Sequence, residues 1–203
     1  MTSKNDIKKR LQKKAYFDED KKIPLPFLPE RLGIITSPTG SVVHDIINRV
    51  KDRFPMPLDI WPVSVQGVDA ADSIINAIQG FNKLKSNKPD IIIVARGGGS
   101  TEDLMAFNDE NLAREIYASN VPTVTGIGHA PDITIADYIC DLHTNTPTDA
   151  GISVTPDKNE LYQRFDNLEE AFIHKVESKI KACANITEPV SYTHLTLPTI
   201  LLV

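Results

Sequence analysis

The chain has 203 residues, of which 41% are hydrophobic and 24% are charged. This balance is typical of a globular protein with a real core and excludes disordered and fibrous classes. The two cysteines, Cys140 and Cys183, lie far apart without a CxxC pattern, which favours unpaired thiols over a disulfide scaffold. Neither a secretory signal nor an apolar run of about 18 residues is recognised, so we expect a cytoplasmic protein.

The first segment is basic, although the chain as a whole has a formal net charge of −5. Residues 1–22 contain eight Lys or Arg and four Asp or Glu, a local charge of +4. Such a segment either contacts phosphates or forms a solvated helix face. Three prolines then fall within residues 21–30 and predict an extended linker. We therefore expect residues 1–30 to form a basic helix and a proline-rich linker.

Four times along the chain, an apolar run rich in β-branched residues is followed by a turn and a segment with helical periodicity. These runs cover residues 31–37, 58–65, 90–97 and 121–128. Strands that alternate with helices predict crossover connections and a parallel sheet. The runs are apolar almost throughout, as expected where helices cover both faces. We predict an α/β, Rossmann-like domain over residues 31–156, with four or more mostly parallel strands.

The character of the sequence changes after this domain. Residues 158–184 lack glycine and proline and place apolar side chains at spacings of three and four. This pattern predicts a long helix over residues 157–187, whose apolar stripe either packs or begins a coiled coil. Residues 190–203 contain no Asp, Glu, Lys or Arg and no helical period. They resemble the translated adapter sequence that ends truncated gene products, and we expect them to lie outside the packed domain.

In a parallel sheet of this kind, ligands bind beyond the carboxyl ends of the strands. The loop after the first run carries the hydroxyl groups of Thr36, Ser37 and Thr39 ahead of a predicted helix. Hydroxyls at a helix N-terminus favour a phosphate site. Asp45 lies one turn into that helix, where it is either simply exposed or directed to the site. The loop after the second run contains Gln66. Its composition is explained equally well by a simple polar turn with no role in the site.

The loop after the third run carries the clearest chemical signal. Arg96 directly follows a buried type of strand, where a cation is costly without an anionic partner. Gly97, Gly98 and Gly99 lack side chains, and successive backbone N–H groups of such residues form an anion-binding nest. Ser100 adds a hydroxyl group. Glycine runs also occur in simple turns, but the position directly after the strand and Arg96 favours an anion site.

The loop after the fourth run contains a histidine followed by two carboxylates. His129 follows a Gly-x-Gly turn, and Asp132 and Asp137 come next. A histidine at the end of a strand, beside acids, is a candidate general acid or base. On a helix that begins near Asp132 the two aspartates lie about 140° apart, so they need not enter one cleft. Residues 146–148 either fold back over this edge or form a plain connection.

The order and spacing of these segments resemble a known family. The motifs ITSPTG…HDI, VQG, ARGGGSTEDLMAFN and GIGHAPDITIADY…TPT, with the preceding KKIPLPFLPE, are similar to the large subunit of exodeoxyribonuclease VII. The similarity covers roughly residues 5–185. One departure is Ala130-Pro131, where the family usually has Glu-Thr.

The resemblance implies an exonuclease that hydrolyses single-stranded DNA from both ends and releases short oligonucleotides with 5′-phosphates. It implies a small helical subunit as partner, bound in multiple copies to a long coiled coil. A typical member begins with an OB-fold domain that grips single strands. We expect this domain to be missing here and residues 1–30 to be the remnant after it.

The resemblance also indicates which residues act. It places the functional positions at Asp45, Arg96, His129, Asp132 and Asp137. No cofactor is strictly required, and if Mg²⁺ is bound, the three aspartates are its candidate ligands, because Mg²⁺ prefers carboxylate oxygens.

From the residues alone, two other interpretations stay open. A non-catalytic nucleotide- or phosphate-binding α/β module would also use the glycine loop to hold a phosphate. It would have no need of His129, which distinguishes it from an enzyme. An assembly scaffold, whose long helix recruits a partner, is the third interpretation.

Overall fold

A computed structural model gives the fold of the chain. It describes residues 4–38, 40–98, 101–128 and 133–196, with the backbone alone for 101–103 and 186–196. The chain divides into two compact units, Met1–Asp157 and Lys158–Val203.

The first unit is built on a sheet of five parallel strands. They are β1 (Leu32–Thr36), β2 (Leu58–Pro62), β3 (Ile91–Ala95), β4 (Thr123–Gly126) and β5 (Leu142–His143). The strands lie in the order β2-β1-β3-β4-β5, and every neighbouring pair is parallel. The prediction of an α/β fold with a parallel sheet is confirmed. The fifth strand was not predicted, because its two residues are too short a run to show any period.

Helices cover both faces of this sheet. They are α1 (Lys4–Lys13), α2 (Ser41–Arg53), α3 (Ala70–Lys83), α4 (Glu110–Ala118), α5 (Ile135–Ile139) and α6 (Pro147–Ser153). Two 3₁₀ segments, Glu19–Lys21 and Thr101–Asn108, complete the described helical structure of this unit. Apolar residues of α2 and α6 form one core cluster, and those of α1, α3, α4 and α5 form the other.

The sequence of β3 explains why both faces are covered. All five of its residues are buried. Ile91 and Ile93 pack in the cluster with α2 and α6, whereas Ile92 and Val94 pack in the opposite cluster. This alternation follows from the two-residue period of a strand. Each such side chain contributes about 1.5–3 kcal/mol when fully buried, so a strand of this composition is stable only inside a three-layer arrangement.

The basic helix α1 is a packed part of the first unit. Leu11 is fully buried in the core cluster of α3 and α4. Arg10 forms an ion pair with Glu110 at 2.6 Å, and the ammonium group of Lys8 lies 3.7 Å from the centre of the Tyr138 ring. One side of the helix therefore serves packing, and only the remaining charges face outward.

Residues 146–148 fold back onto the carboxyl end of β4. A Cβ atom at Gly126 would lie 2.9 Å from the Cα atom of Pro147, so only glycine permits this approach. The hydroxyl of Thr144 donates to the carbonyl oxygen of Thr125 at 2.8 Å and fixes the return. Of the two interpretations left open by the sequence, the structure shows the fold-back.

The second unit is the single helix α7 (Lys158–Thr196), 39 residues long. Its described side chains expose large apolar groups, among them Phe165 at 72% and Phe172 at 70%. Its backbone continues past residue 187 into the predicted tail, of which residues 197–203 lie outside the described residues. No helix in the described part of the chain has the length and apolar composition needed to cross a membrane.

Candidate phosphate-binding and catalytic site

The strand order fixes where a ligand can bind. From β1 the chain crosses to β2 on one side, and from β2 it returns to β3 on the other side of β1. The loops after β1 and β3 therefore leave the sheet in opposite directions and open a crevice between them. In doubly wound folds ligands bind at this topological switch point.

A cavity of about 260 Å³ lies at this switch point. It is lined by Thr36, Ser37 and residues 40–42 after β1, by residues 64–66 after β2, and by residues 96–98 after β3. Pockets that enclose drug-sized ligands have about 300–1,000 Å³, so this one suits a phosphate with part of its sugar. Three loops that were separate in the sequence analysis thus share one site.

Arg96 supplies the positive charge of the cavity. Arg96 is 3% exposed. Among the described residues that line the cavity, it is the one with a charged side chain. A guanidinium group buried to this extent is stable only with anionic or multiple hydrogen-bonding partners. Its rigid fork of donors matches the oxygens of a phosphate group. The strand end at Ala95 places this cation at the crevice.

Gly97 brings the loop after β3 against the first turn of α2. A Cβ atom at Gly97 would lie 2.9 Å from Cγ2 of Val42, which is closer than real contacts allow. At Gly98, by contrast, no atom of the described residues lies within 4 Å of the position of the missing Cβ. The absence of a side chain is thus a packing requirement at Gly97, whereas Gly98 leaves its backbone open towards the cavity.

The N-terminus of α2 provides a second group of donors. Gly40 is the N-cap residue and has no side chain with which to cap the helix. The first N–H groups of an α-helix have no partner within the helix, and the helix dipole adds partial positive charge there. Gly40, Ser41 and Val42 all line the cavity, so this end of the 13-residue helix faces the same space as Arg96.

The turn after β2 closes the third side of the cavity. The hydroxyl of Ser64 donates to the carbonyl oxygen of Gln66 at 2.7 Å. Gly67 follows with φ of +88°, a conformation that favours glycine. These two features fix the turn, and Gln66 lines the cavity as a result. In the sequence, the position of Gln66 shortly after β2 is the one sign of this role.

The start of α5 is organised by Asp137. Its Oδ2 atom accepts hydrogen bonds from the amide and the hydroxyl of Thr134, both at 2.8 Å, and its own amide donates back to that hydroxyl. This is a capping box. The Asp137 side chain is 2% exposed, and its Oδ1 atom lies 3.1 Å from Nδ1 of His143. Asp137 is therefore engaged within the protein, outside the described lining of the cavity.

Asn108 joins the loop after β3 to the start of α5. Its Oδ1 atom accepts from the amide of Ile135 at 3.0 Å, and its Nδ2 atom donates to the carbonyl oxygen of Leu104 at 3.3 Å. Asn108 is buried, so these bonds replace the water that its amide would otherwise require. The sequence carries no signal for this role, because an asparagine at the end of a helical segment is common.

The exonuclease VII large subunit family matches residues 16–196. The chain belongs to this family. Proteins named exodeoxyribonuclease 7 large subunit from three bacteria illustrate the similarity. The one from Anaplasma marginale is 53% identical over 154 residues, which are 76% of this chain and 38% of the relative. The one from Rickettsia bellii is 46% identical over 178 residues, 87% of this chain and 40% of the relative.

The third relative, from Mesorhizobium japonicum, is 45% identical over 179 residues, or 86% of this chain and 33% of the relative. The chain thus spans two fifths or less of the length of these curated relatives. The resemblance seen in the sequence motifs is confirmed at the level of the family.

The structure brings together some of the residues that the sequence analysis assigned to the candidate site. Thr36, Ser37, Arg96, Gly97 and Gly98 meet in one cavity. The remaining predicted phosphate-binding and catalytic residues that lie outside the described residues are Thr39, Gly99, Ser100, His129 and Asp132.

Two of the three candidate aspartates, Asp45 and Asp137, fall within the described residues, and they lie on different helices. Asp45 is exposed on α2, four residues after Ser41 and hence about one turn further along the same side of the helix. Asp137 belongs to α5, which covers the opposite face of the sheet from α2. Among the described residues, no group of three or more His, Cys, Asp or Glu could hold a metal ion. The described carboxylates therefore do not form a magnesium centre by themselves.

Proposed function

We propose that this chain is the catalytic domain of an exonuclease that hydrolyses phosphodiester bonds of single-stranded DNA. On this proposal it acts from both ends, releases short oligonucleotides with 5′-phosphates, and works as part of a large subunit with a small helical subunit. One observation carries the proposal. In a member of the exonuclease VII large subunit family, a buried arginine, a glycine loop and an uncapped helix N-terminus converge on one cavity at the switch point.

The chemistry that these groups offer matches phosphodiester hydrolysis. Arg96, the amides of Gly97 and Gly98, and the first turn of α2 are fixed donors that can stabilise charge on the phosphoryl oxygens. Hydrolysis also requires a deprotonated water and a proton for the leaving oxygen. His129 is the proposed residue for proton transfer, because the ordinary pKa of an imidazole lies near neutrality. Asp45 and Asp132 are proposed to orient the water or the imidazole ring.

Mg²⁺ is not required by this proposal. Asp137 is committed to Thr134 and His143, and Asp45 lies on α2, which covers the opposite face of the sheet from α5. The donors around Arg96 supply charge stabilisation without a metal ion. We therefore assign no step to Mg²⁺, and the activity assay below includes a chelator.

The second unit is the proposed binding site for the small subunit. The apolar side chains of α7 that stand exposed recur at spacings of three and four: Phe165, Leu168, Phe172, Val176 and Ile180. An apolar stripe of this period is what a helical partner packs against in a coiled coil. The OB-fold domain expected in large subunits is proposed to belong to the part of the relatives' length that this chain does not span.

The test is a nuclease assay on a complete large subunit that carries these residues, assembled with its small subunit. Labelled single-stranded and double-stranded DNA are compared, with and without chelator. We expect degradation of the single strand from both ends, no dependence on added Mg²⁺, and loss of cleavage in His129→Ala with retained strand binding. Binding of single strands without cleavage by the wild-type complex would instead support a non-catalytic phosphate-binding module.

A further inference from the structure

We propose that His143 is a positioning residue, which holds Thr134, at the end of the segment between β4 and α5, through the carboxylate of Asp137. The inference rests on the proposed function, because that segment contains His129 and Asp132. His143 itself is not among the described lining residues of the cavity. It acts through Asp137, and not by touching the substrate.

The position of the His143 ring follows from the short strand β5. His143 pairs with Thr125 of β4 in the parallel register. Its Nδ1 atom lies 3.1 Å from Oδ1 of Asp137 and 3.5 Å from the hydroxyl of Thr125. The side chain is 30% exposed, whereas the carboxylate of Asp137 is buried beneath it. The imidazole ring thus bridges the end of β4 and the first turn of α5.

Asp137 depends on this contact. Its Oδ1 atom is buried and accepts no well-aligned hydrogen bond from the described residues, so the ring nitrogen of His143 is its compensating polar neighbour. A buried carboxylate oxygen without such a neighbour is strongly unfavourable. Removal of the imidazole would therefore displace the carboxylate or draw it towards solvent.

The other oxygen of the same carboxylate fixes the backbone. Oδ2 of Asp137 holds both the amide and the hydroxyl of Thr134, where the chain enters α5. At the preceding end of the segment, the carbonyl oxygen of Gly126 accepts from the amide of Arg96 at 3.1 Å. Gly126 and Thr134 are thus both held by hydrogen bonds, and the hydrogen bonds of Thr134 are the ones that His143 supports.

Two isosteric substitutions test the role of Nδ1. In His143→Asn the side-chain nitrogen takes the place of Nδ1, whereas in His143→Gln it takes the place of Nε2. In the complete complex we expect His143→Ala and His143→Gln to lower kcat by about tenfold or more, because small misplacements of catalytic groups have large effects. His143→Asn should recover most of the rate. KM and single-strand affinity should stay unchanged in all three variants.

A second measurement does not depend on cleavage. Hydrogen exchange of the Thr134 amide, measured on this chain, should be faster in His143→Ala and His143→Gln than in the wild type and in His143→Asn. Unchanged exchange in all variants, or equal loss of kcat in the Asn and Gln variants, would overturn the assignment. A wild-type complex that cleaves no single-stranded DNA would overturn the proposed function. The hydrogen-exchange result would then still show whether His143 holds Thr134 through Asp137.

Discussion

The main-chain amide of Arg96 donates a hydrogen bond to the carbonyl oxygen of Gly126 at 3.1 Å. This bond joins the residue that supplies the cation of the cavity to the residue from which the chain leaves β4. The loops after β3 and β4 are therefore held at a fixed distance where they leave the sheet. Arg96 and the proposed catalytic residue His129 each follow one of these two strand ends in the sequence.

Replacement of Arg96 tests the role of the cation. Arg96→Lys retains the charge but cannot reproduce the planar fork, so we expect kcat on single-stranded DNA to fall by about 10²–10³-fold. Arg96→Ala should in addition weaken binding of single strands, measured by fluorescence anisotropy of a labelled oligonucleotide. Arg49→Lys, an exposed position on α2, is the matched control and should have the wild-type rate. A wild-type rate in Arg96→Lys would contradict the assigned role.

The central strands, and the loops after β1 and β3 that line the cavity, could be predicted because they leave local signals. The run of residues 91–95 is apolar throughout and ends at Arg96, and each of these features is visible without the fold. The role of Asp137 could not be predicted in the same way. Its carboxylate is directed by Thr134 and by His143, and the latter contact depends on the pairing of β5 with β4.

The contribution of Gln66 was hidden for a similar reason. A turn of polar residues with glycine is explained by its local chemistry alone. Only the strand order, which places β2 beside β1, brings this turn to the cavity with Arg96. Sequence patterns predict the elements well, but contacts between side chains from distant loops depend on the topology that the elements adopt.

Close packing at Gly80 predicts a loss of stability on substitution. A Cβ atom there would lie 2.1 Å from Cη2 of Trp61, whose ring packs edge-on against Phe81. Alanine in a helix is about 1 kcal/mol more favourable than glycine, but overpacking costs about 1–3 kcal/mol, and the ring would also lose its contact with Phe81. We therefore expect Gly80→Ala to lower the free energy of unfolding by about 1 kcal/mol or more.

Urea denaturation measures this difference in the free energy of unfolding. Gly98→Ala is the control for stability, because in the described part of the chain no atom lies within 4 Å of its missing Cβ. The change should stay within about 0.5 kcal/mol. Equal unfolding midpoints for the Gly80 and Gly98 variants would show that Trp61 relaxes without penalty.

The two cysteines should differ in reactivity. Burial raises the pKa of the Cys140 thiol to about 12 from its ordinary 9.0, although a hydrogen bond with Thr125 partly opposes this shift. Cys183 is exposed. Because the thiolate is the reactive form, a thiol reagent at neutral pH should label Cys183 rapidly and Cys140 only after unfolding. Cys183→Ser should leave a native protein without a rapidly labelled thiol.

The same shift gives a pH dependence. Below pH 9 the Cys140 thiol is protonated in both the folded and the unfolded chain, so its contribution to stability is fully present. Between pH 9 and about 12 the unfolded chain loses this proton and the folded chain retains it, so stability falls as pH rises. Cys140→Ala should show a smaller fall than the wild type over this range. Rapid labelling of Cys140 in the native protein would contradict its burial.

The contact between Gly97 and Val42 predicts a rescue by a second substitution. Because a Cβ atom at Gly97 would lie 2.9 Å from Cγ2 of Val42, Gly97→Ala should push the loop after β3 away from α2. The amides of the loop and the first turn of α2 would then no longer face one phosphate group. We expect weaker binding of a single-stranded oligonucleotide and a lower rate of cleavage.

Val42→Ala removes the atom with which the new methyl group collides. Val42 is buried, so this change alone should lower the free energy of unfolding by about 0.5–3 kcal/mol. In the double variant, however, binding should recover relative to Gly97→Ala, with a coupling energy of about 0.5–3 kcal/mol between the two positions. Gly98→Ala combined with Val42→Ala is the matched control and should be additive, since Val42 does not come within 4 Å of the missing Cβ of Gly98. Additive effects in the Gly97 pair would mean that the loop does not rest on α2, and the shared phosphate site would lose its structural basis.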